Sequence, residues 1–568
     1  MNEIKKVRNV DSVKVQTVIH WIFSLVAISI GLFQAYQWRF NPFTEDIISY
    51  LDSGNYFLQG NFAQAVSSYW SPLYGCILAT VLLFQPHGSS LEIPIIKAVN
   101  CLIFSADTAV FVYFLGVLQR HFQQQKLDKN DSFEGLSSTF FLVVMYCTYI
   151  YSFLFLGGTY IDTPDLLVSG FVMAAVALLV EIKLGKDSWF DYVLFGIVLA
   201  LGYLAKAVFF TIALLLVALA SVYVKHKSPK KLLVSVAVSI ALCAPYVASI
   251  SLKHHHFTMS EVLRYGHSWS IMHKYEYVHG RDTTFTHPTR IIFKNPTVYE
   301  FASPVGGTFP PWYDPTYWFD GVQLSFEPSM ELWAFWWNFV DYLRLFLGIV
   351  IFGFAVLTLI ARKVPFSRLS LLANAPYLVP GVAGLALYLV SINMWTDGSE
   401  RYLSVFVLLL IAGLLQSIRL PRVKTSRIAL TLMASVFCVY FSVVVVFMQC
   451  AHYIVCQNWT ENNHSKVVDK LRQLGLHSGD RVCHLGTIRY FWAHQGGFRI
   501  VADIRDLKGF WTMTPARREQ LFNVLKQLKV KAIVEDPSLL RDPYKPSTDP
   551  GPGWYHIDRT TTYIYLIQ

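Results

Sequence analysis

Apolar residues run along the chain in long unbroken stretches, and the polar residues fall in the gaps between them. Thr17 to Ala35, Ile93 to Leu118, Thr139 to Gly157, Leu166 to Val180, Trp189 to Ala205, Val208 to Val224, Leu232 to Ile250, Phe339 to Ile360, Tyr377 to Ile392, Tyr402 to Ile418 and Ile428 to Phe447 each suit a helix crossing a bilayer. Pro72 to Gln85 is apolar but short, and reads as a helix lying along the outer membrane surface. With that assignment Lys5, Lys6, Arg8 and Lys14, then Arg120, His121, Lys126 and Lys129, then Lys183 and Lys186, and every later basic cluster fall on one side. The side that collects Lys and Arg is cytoplasmic. The pattern therefore predicts a polytopic α-helical membrane protein of about eleven spans, with a cytoplasmic N-terminus and an uncleaved first anchor. No inverted internal repeat of the secondary-transporter kind is visible.

Two polar regions interrupt this pattern. The first outer loop covers residues 37–92, and a long outer loop rich in aromatics covers 251–336. Beyond residue 450 the periodicity changes. Asn463 to Leu476 carries Val467, Val468, Leu471 and Leu474 on one helical face; Arg481 to Leu485, Arg499 to Ile504 and Val530 to Val534 read as strands, Pro515 to Leu528 as a helix, and Gly553 to Ile557 with Thr562 to Ile567 as a terminal hairpin. This divides the chain into a membrane region, 1–450, and an extracytoplasmic α/β domain, 451–568. No GxGxxG joins a strand to a helix in the tail, which argues against a dinucleotide site.

Composition agrees with the pattern. Of 568 residues 54% are hydrophobic and only 15% charged, and mean hydropathy is +0.41, too apolar for a soluble multidomain chain. The net charge of +10 sits in the loop clusters that set orientation, so it gives no ground for nucleic-acid binding. Of the eight cysteines, five lie in or beside spans as small packing residues; Cys450 and Cys456 are spaced such that a bridge is open, and no metal-binding spacing occurs.

Candidate chemistry concentrates at the outer ends of spans. Asn41 to Tyr74 contains Glu45, Asp46 and Asp52 and closes on Tyr69-Trp70-Ser71-Pro72-Leu73-Tyr74. On a helix Asp46, Ser49, Tyr50 and Ser53 share one face, with Ile47, Ile48 and Leu51 largely opposite; the alternative is a solvated connector with ordinary surface acids. Tyr160-Ile-Asp162-Thr-Pro164-Asp165 lies at a tight outer turn, where Asp165 either caps the next span or faces the bundle interior, as acids at a membrane boundary do. Lys206, alone between apolar runs, either snorkels or meets a phosphate. Trp395-Thr-Asp397-Gly-Ser-Glu400-Arg401-Tyr402 begins an inward span, and its arginine suits bidentate phosphate recognition. In the long loop His267, Trp269, His273, Tyr275, Tyr277 and Arg281 precede Gly306 to Val322, whose Trp312, Tyr313, Tyr317 and Trp318 either stack on sugar faces or plate the membrane interface. Asp314 and Asp320 are candidate hydroxyl acceptors. His254, His255 and His256 are adjacent and so converge poorly on one ion. Asn458-Trp-Thr and Asn463-His-Ser fit the glycosylation sequon.

The first outer stretch resembles that of the GT-C glycosyltransferases, the superfamily of protein O-mannosyltransferases and lipid A aminoarabinose transferases. Asp46, Tyr50, Gly54 or Gly60, and Trp70-Ser71-Pro72-Leu73 carry the likeness, although the double proline is absent. It extends over about 450 residues of the membrane region. The resemblance implies that Asp46 is a catalytic general base, that Asp165 is the second acid with Asp162 in reserve, and that Arg401-Tyr402 is the family's Arg-Tyr turn. It implies a donor of a sugar on polyprenyl phosphate, held by Lys206, Arg401 and Tyr402; Tyr50, Asp52, Trp70, Asp162, Trp312 and Asp314 are the candidate substrate contacts. Membrane lipid and a glycan, lipid or protein acceptor are the expected partners, and a divalent metal held by the carboxylates stays open. The rival readings are a transporter or flippase of a lipid-linked or amphipathic solute, and a non-catalytic assembly factor.

Overall fold

The computed structural model describes residues 2–84, 90–125, 133–134, 137–224, 229–272, 287–319, 322–360, 368–392, 399–417, 420–421, 424–456, 463–486, 490–536, 552–558, 560 and 562–567. In chain order the helices are α1 (Asn2–Gln37), α2 (Asp46–Leu58), α3 (Pro72–Leu82), α4 (Glu92–Gln125), α5 (Ser138–Ile150), α6 (Asp165–Lys183), α7 (Trp189–Ala205), α8 (Phe209–Val224), α9 (Pro229–His254), α10 (Val262–Ser270), α11 (Pro328–Ile360), α12 (Ala375–Ser391), α13 (Ser404–Ser417), α14 (Lys424–Cys456), α15 (Asn463–Gln473), α16 (Phe491–Gly496) and α17 (Pro515–Gln527). The strands are β1 (Ile291–Phe293), β2 (Val298–Glu300), β3 (Arg481–Gly486), β4 (Arg499–Ile504), β5 (Val530–Asp536), β6 (Trp554–His556) and β7 (Tyr563–Leu566). All eleven predicted spans are helical. Among the described residues seven helices are long and apolar enough to cross a membrane, and four shorter apolar ones accompany them, α3 included. The protein is a polytopic α-helical membrane protein with an α/β domain in its C-terminal part.

The chain forms two compact units. The first comprises Met1–Gln37, Ala98–Pro245 and Pro328–Val455; the second comprises Trp38–Lys97, Tyr246–Glu327 and Cys456–Gln568.

The first unit is the helical bundle. Its helices approach closely where side chains are small, as expected where apolar lipid offers no hydrophobic drive for association. A Cβ on Gly384 would run into the Phe406 ring, and one on Gly381 into the Leu410 backbone, so α12 packs tightly on α13. Gly170 of α6 likewise makes room for the buried Asp107 carboxylate of α4. Phe111 and Tyr149 stack at 4.2 Å in the core. The buried Glu181 is neutralised by Arg120 and Lys186. After α5 the helix widens into a π-helical stretch, Tyr151–Leu156. The Leu154 carbonyl there accepts from Gln34 Nε2 at 2.6 Å, while Gln34 Oε1 accepts from Thr159 N at 3.3 Å. Gln34 thus ties α1 to the turn that leads into α6.

The second unit joins three stretches distant in sequence. Helices α2 and α3 cross with their backbones in contact, because a Cβ at Gly54 would strike the Gly75 carbonyl. A seven-stranded sheet has the order β1-β2-β4-β3-β5-β7-β6. β3 runs parallel to β4 and β5, and the remaining pairs are antiparallel. The central strands β3 and β4 are buried along nearly their whole length, as parallel strands covered on both faces must be. Val298, Cys483, Leu485, Val501, Ile504, Phe510 and Leu521 form the core against it.

Several expectations change. The long loop, expected only to be too polar to span, contributes two short strands to the sheet: β1 pairs with β2, and β2 pairs with β4, some two hundred residues on. Helix α11 begins at Pro328, ahead of the expected Phe339, and α14 continues past Phe447 to Cys456. Cys450 and Cys456 therefore lie on one helix, whose rise separates their Cα atoms by about 9 Å, too far for a disulfide; both are free. Asp320, His273, Tyr275, Tyr277, Arg281, Trp395, Asp397 and Asn458 lie outside the described residues.

Candidate active site

The candidate residues form two groups, one in each unit. In the bundle they gather around Asp165. Its position is set by Pro164, which precedes it as the α6 cap, so Asp165 is the first helical residue and not the cap itself. One carboxylate oxygen accepts from Lys206 Nζ at 2.5 Å; the other accepts from Arg401 Nε at 2.9 Å and from Thr163 Oγ1 at 2.5 Å. Lys206 is delivered by the end of α7, where the backbone leaves helical geometry and becomes extended. Arg401 comes from the 3-10 turn Ser399–Leu403 that begins the α13 span. Tyr402 binds both cations: its hydroxyl meets Arg401 Nη2 at 2.9 Å, and its ring lies 4.1 Å beneath Lys206 Nζ and 4.6 Å from the guanidinium carbon. Such contacts strengthen as water is excluded. Tyr388 stacks on the Tyr402 ring at 5.2 Å.

Two small cavities meet at Asp165 and Arg401. Thr163, Ser169 and Ser404 line the first; Val172, Phe209 and Phe406 line the second. Asp165, Ser169 and Arg401 line both recesses, and apolar side chains form most of the remaining wall of the second. Asp162, the reserve acid, is buried nearby in sequence but bonded elsewhere, to Asn100 Nδ2 at 3.5 Å.

In the second unit Asp46 opens α2, with Glu45 as its cap. Trp312 Nε1 donates to Asp46 Oδ1 at 3.2 Å, while the Trp312 carbonyl accepts from Trp70 Nε1 at 3.0 Å and from Ser49 Oγ at 3.4 Å. Asp46, Ser49, Trp70 and Trp312 are thus brought together, and the predicted Asp46–Ser49 face is the one that meets the long loop. The opposite face is not a free one: Ile47, Ile48 and Leu51 are buried as well. Tyr50 packs edge-on against Trp70 and Tyr74. Around Trp312 the rings of Tyr69, Trp70 and Trp269 lie 5.6–6.2 Å away, with Trp269 nearly parallel to it. Asp314 is not presented to this aromatic group. It binds Lys253 Nζ at 2.8 Å and the Thr316 hydroxyl, a tie within the unit. Of the three adjacent histidines, His254 bonds Ser68 and His256 bonds Glu261. Among the described residues no group of three His, Cys, Asp or Glu side chains is arranged to hold a metal.

Asp52, two turns along α2 from Asp46, reveals residues that sequence reasoning missed. Its carboxylate accepts from Thr308 N at 2.6 Å, from Thr308 Oγ1 at 3.0 Å and from His494 Nδ1 at 3.0 Å. The other ring nitrogen of His494 meets Glu92 Oε1 at 3.0 Å. Burial by itself would lower this imidazole's pKa; the Glu92 charge and the hydrogen bonds to Asp52 and Glu92 outweigh it and hold the value at about 10, so the ring is an imidazolium at neutral pH. The one signal available in the sequence was Glu92, an acid immediately before an apolar span.

No protein-family model matches the chain, and no curated protein sequence does. Solved structures do match. The chain superposes on ArnT from Cupriavidus metallidurans in the apo state with a TM-score of 0.52 and 10% identity, covering 98% of each chain. With ArnT from the same organism bound to undecaprenyl phosphate the TM-score is 0.51 and the identity 11%, over 96% of this chain and 97% of that one. An oligosaccharyltransferase from Archaeoglobus fulgidus tethered to an acceptor peptide matches at a TM-score of 0.41 and 11% identity, over 91% of this chain and 69% of that one. At such identities the likeness is one of fold, and the chain has the fold of ArnT.

Proposed function

We propose that this protein is an integral membrane glycosyltransferase that moves a sugar from a polyprenyl-phosphate donor to an acceptor hydroxyl on the extracytoplasmic side. The observation that supports this most is the Asp165 centre, two cations on one carboxylate, with a mostly apolar cavity beside it. Asp165 holds Lys206 and Arg401 in place and leaves the three groups with one net positive charge, matched to a phosphate. The ArnT of the same fold that was solved with undecaprenyl phosphate supports a donor of this class.

Asp46 serves as the general base. It takes the proton from the acceptor hydroxyl as the oxygen forms its bond to the anomeric carbon, on the face opposite the phosphate. The anomeric carbon–oxygen bond breaks, its electron pair leaves with the phosphate, and the configuration inverts. Lys206 and Arg401 stabilise the charge that grows on the leaving polyprenyl phosphate, an interaction stronger in the transition state than in the ground state. Trp70 and Trp312 hold the base in place through their indole N–H groups, Trp312 directly.

The purified protein is expected to consume a synthetic short-chain polyprenyl-phosphate sugar and release polyprenyl phosphate. Asp46→Asn is expected to lower kcat by about 10²–10⁴, the usual worth of a general base, while remaining folded. Solute flux across vesicles without donor consumption would favour the transport reading instead.

A further inference from the structure

Helix α2 carries both Asp46 and Asp52, so whatever holds Asp52 also sets where Asp46 stands. The same helix grips the long-loop segment 306–314 along its length. Tyr56 Oη accepts from Gly307 N at 2.8 Å, Asp52 takes both Thr308 donors, and Asp46 takes the Trp312 indole. From the other side the C-terminal domain holds this segment: Ile500 N donates to Thr308 O at 3.0 Å, and Tyr490 packs on Phe309 at 4.5 Å. Asp52 and Glu92 would be two buried carboxylates in want of a counter-charge, and α16 inserts His494 between them, bonding one with each ring nitrogen.

We propose that His494 is a positioning residue for the transfer reaction, its imidazolium clamping Asp52 to Glu92 and thereby fixing the helix and loop that carry Asp46 and Trp312. This rests on the reading of Asp46 as the base. The C-terminal domain is then part of the catalytic apparatus, supplying the cation that keeps the base helix in register. Deprotonating His494 would leave the carboxylates without their cation and release the Thr308–Trp312 segment. The groups facing the ring are Asp52 from α2 and Glu92 from the start of α4. Tyr56 lies one turn beyond Asp52, its hydroxyl kept neutral by burial, and Arg499 of β4 is tied to the Val305 carbonyl at 2.6 Å.

The test uses the full-length protein in detergent. In His494→Gln, amide exchange is expected to rise in residues 46–58 and 306–314 while strands β3 and β4 stay protected, and kcat is expected to fall at least tenfold with donor KM within twofold. Glu92→Gln keeps a hydrogen-bond partner but removes one of the two charges on the ring. It is expected to introduce a loss of kcat between pH 6 and 9 that the wild type does not show, with exchange of 306–314 rising over the same range. Wild-type exchange in both variants would overturn the proposal, and if His494→Gln fails to fold, an unchanged pH profile in Glu92→Gln overturns it alone. Full activity in Asp46→Asn alongside the expected exchange changes would instead remove the base assignment and leave the clamp standing.

Discussion

The two units each bury an ion cluster of three side chains, and the clusters have opposite charge plans. In the bundle two cations, Lys206 and Arg401, share one carboxylate, Asp165; in the second unit two carboxylates, Asp52 and Glu92, share one cation, His494. Both have a formal imbalance of one charge, positive in the first (2 − 1) and negative in the second (1 − 2). They differ in access. Lys206 keeps 24% of its side-chain surface exposed and cavities adjoin its partners, whereas no side chain of the second cluster is more than 10% exposed. The second cluster also spends backbone and hydroxyl donors of Thr308 on its excess charge. An imbalance left beside a cavity invites a ligand; an imbalance buried and hydrogen-bonded is a fastening.

The comparison breaks most visibly at the fastening. Removing one partner of a buried ion cluster leaves uncompensated charge and costs about 3–5 kcal/mol, so His494→Gln is expected to lower the thermal midpoint sharply. A histidine raised in the folded state adds stability that is complete below its unfolded value of about 6.5 and is lost as pH rises through about 10. The wild-type midpoint is therefore expected to decline across that interval with a component that His494→Gln lacks. Equal slopes in the two proteins would mean the ring is neutral and the second cluster is not a charge clamp.

At the ligand-facing cluster the expected loss is in activity. If Arg401 stabilises the leaving phosphate as proposed, Arg401→Ala is expected to lower kcat by about 10²–10³, with Lys206 left as the cation paired with Asp165. Arg401→Lys keeps the charge but loses the planar fork, and should recover only part of that loss. If Arg401→Ala lowered the thermal midpoint more than it lowered kcat, the first cluster would be a fastening like the second. Gly54→Ala, outside both clusters, gauges how far α2 tolerates any displacement: forcing a methyl group against the Gly75 carbonyl costs about 1–3 kcal/mol, read as a lower midpoint.

The contrast between the clusters also explains what the sequence disclosed. The bundle was legible because apolar length and basic loops leave little freedom, and Lys206 and Arg401 stood out as cations at the ends of apolar runs. Asp46 and Trp312 were named, but not as partners, since no local pattern joins a first loop to a residue 266 positions away. Gly54 and Gly60 were indistinguishable by resemblance; packing separates them, because Gly54 sits in a helix crossing and Gly60 only turns the chain at φ 71°. Strands β1 and β2 were missed because three residues are too few to show alternation, and His494 because its partners lie 402 and 442 positions away. Long-range polar pairing leaves no periodicity to read.

The smallest expected effect tests how Tyr402 serves the cationic cluster. Its hydroxyl contributes one hydrogen bond to Arg401 and its ring a face to Lys206. Tyr402→Phe removes only the hydrogen bond, worth about 1 kcal/mol, so donor KM is expected to rise a few-fold at most. Tyr402→Leu also removes the aromatic face, another 0.5–2 kcal/mol or so for a partly desolvated cation, and is expected to raise KM further. If the two variants behave alike, the ring contact contributes nothing measurable and Lys206 is held by Asp165 alone. If Phe is as damaging as Leu and kcat falls with it, the hydroxyl orients the guanidinium for the transition state, and the cluster is tuned more finely than its charge count implies.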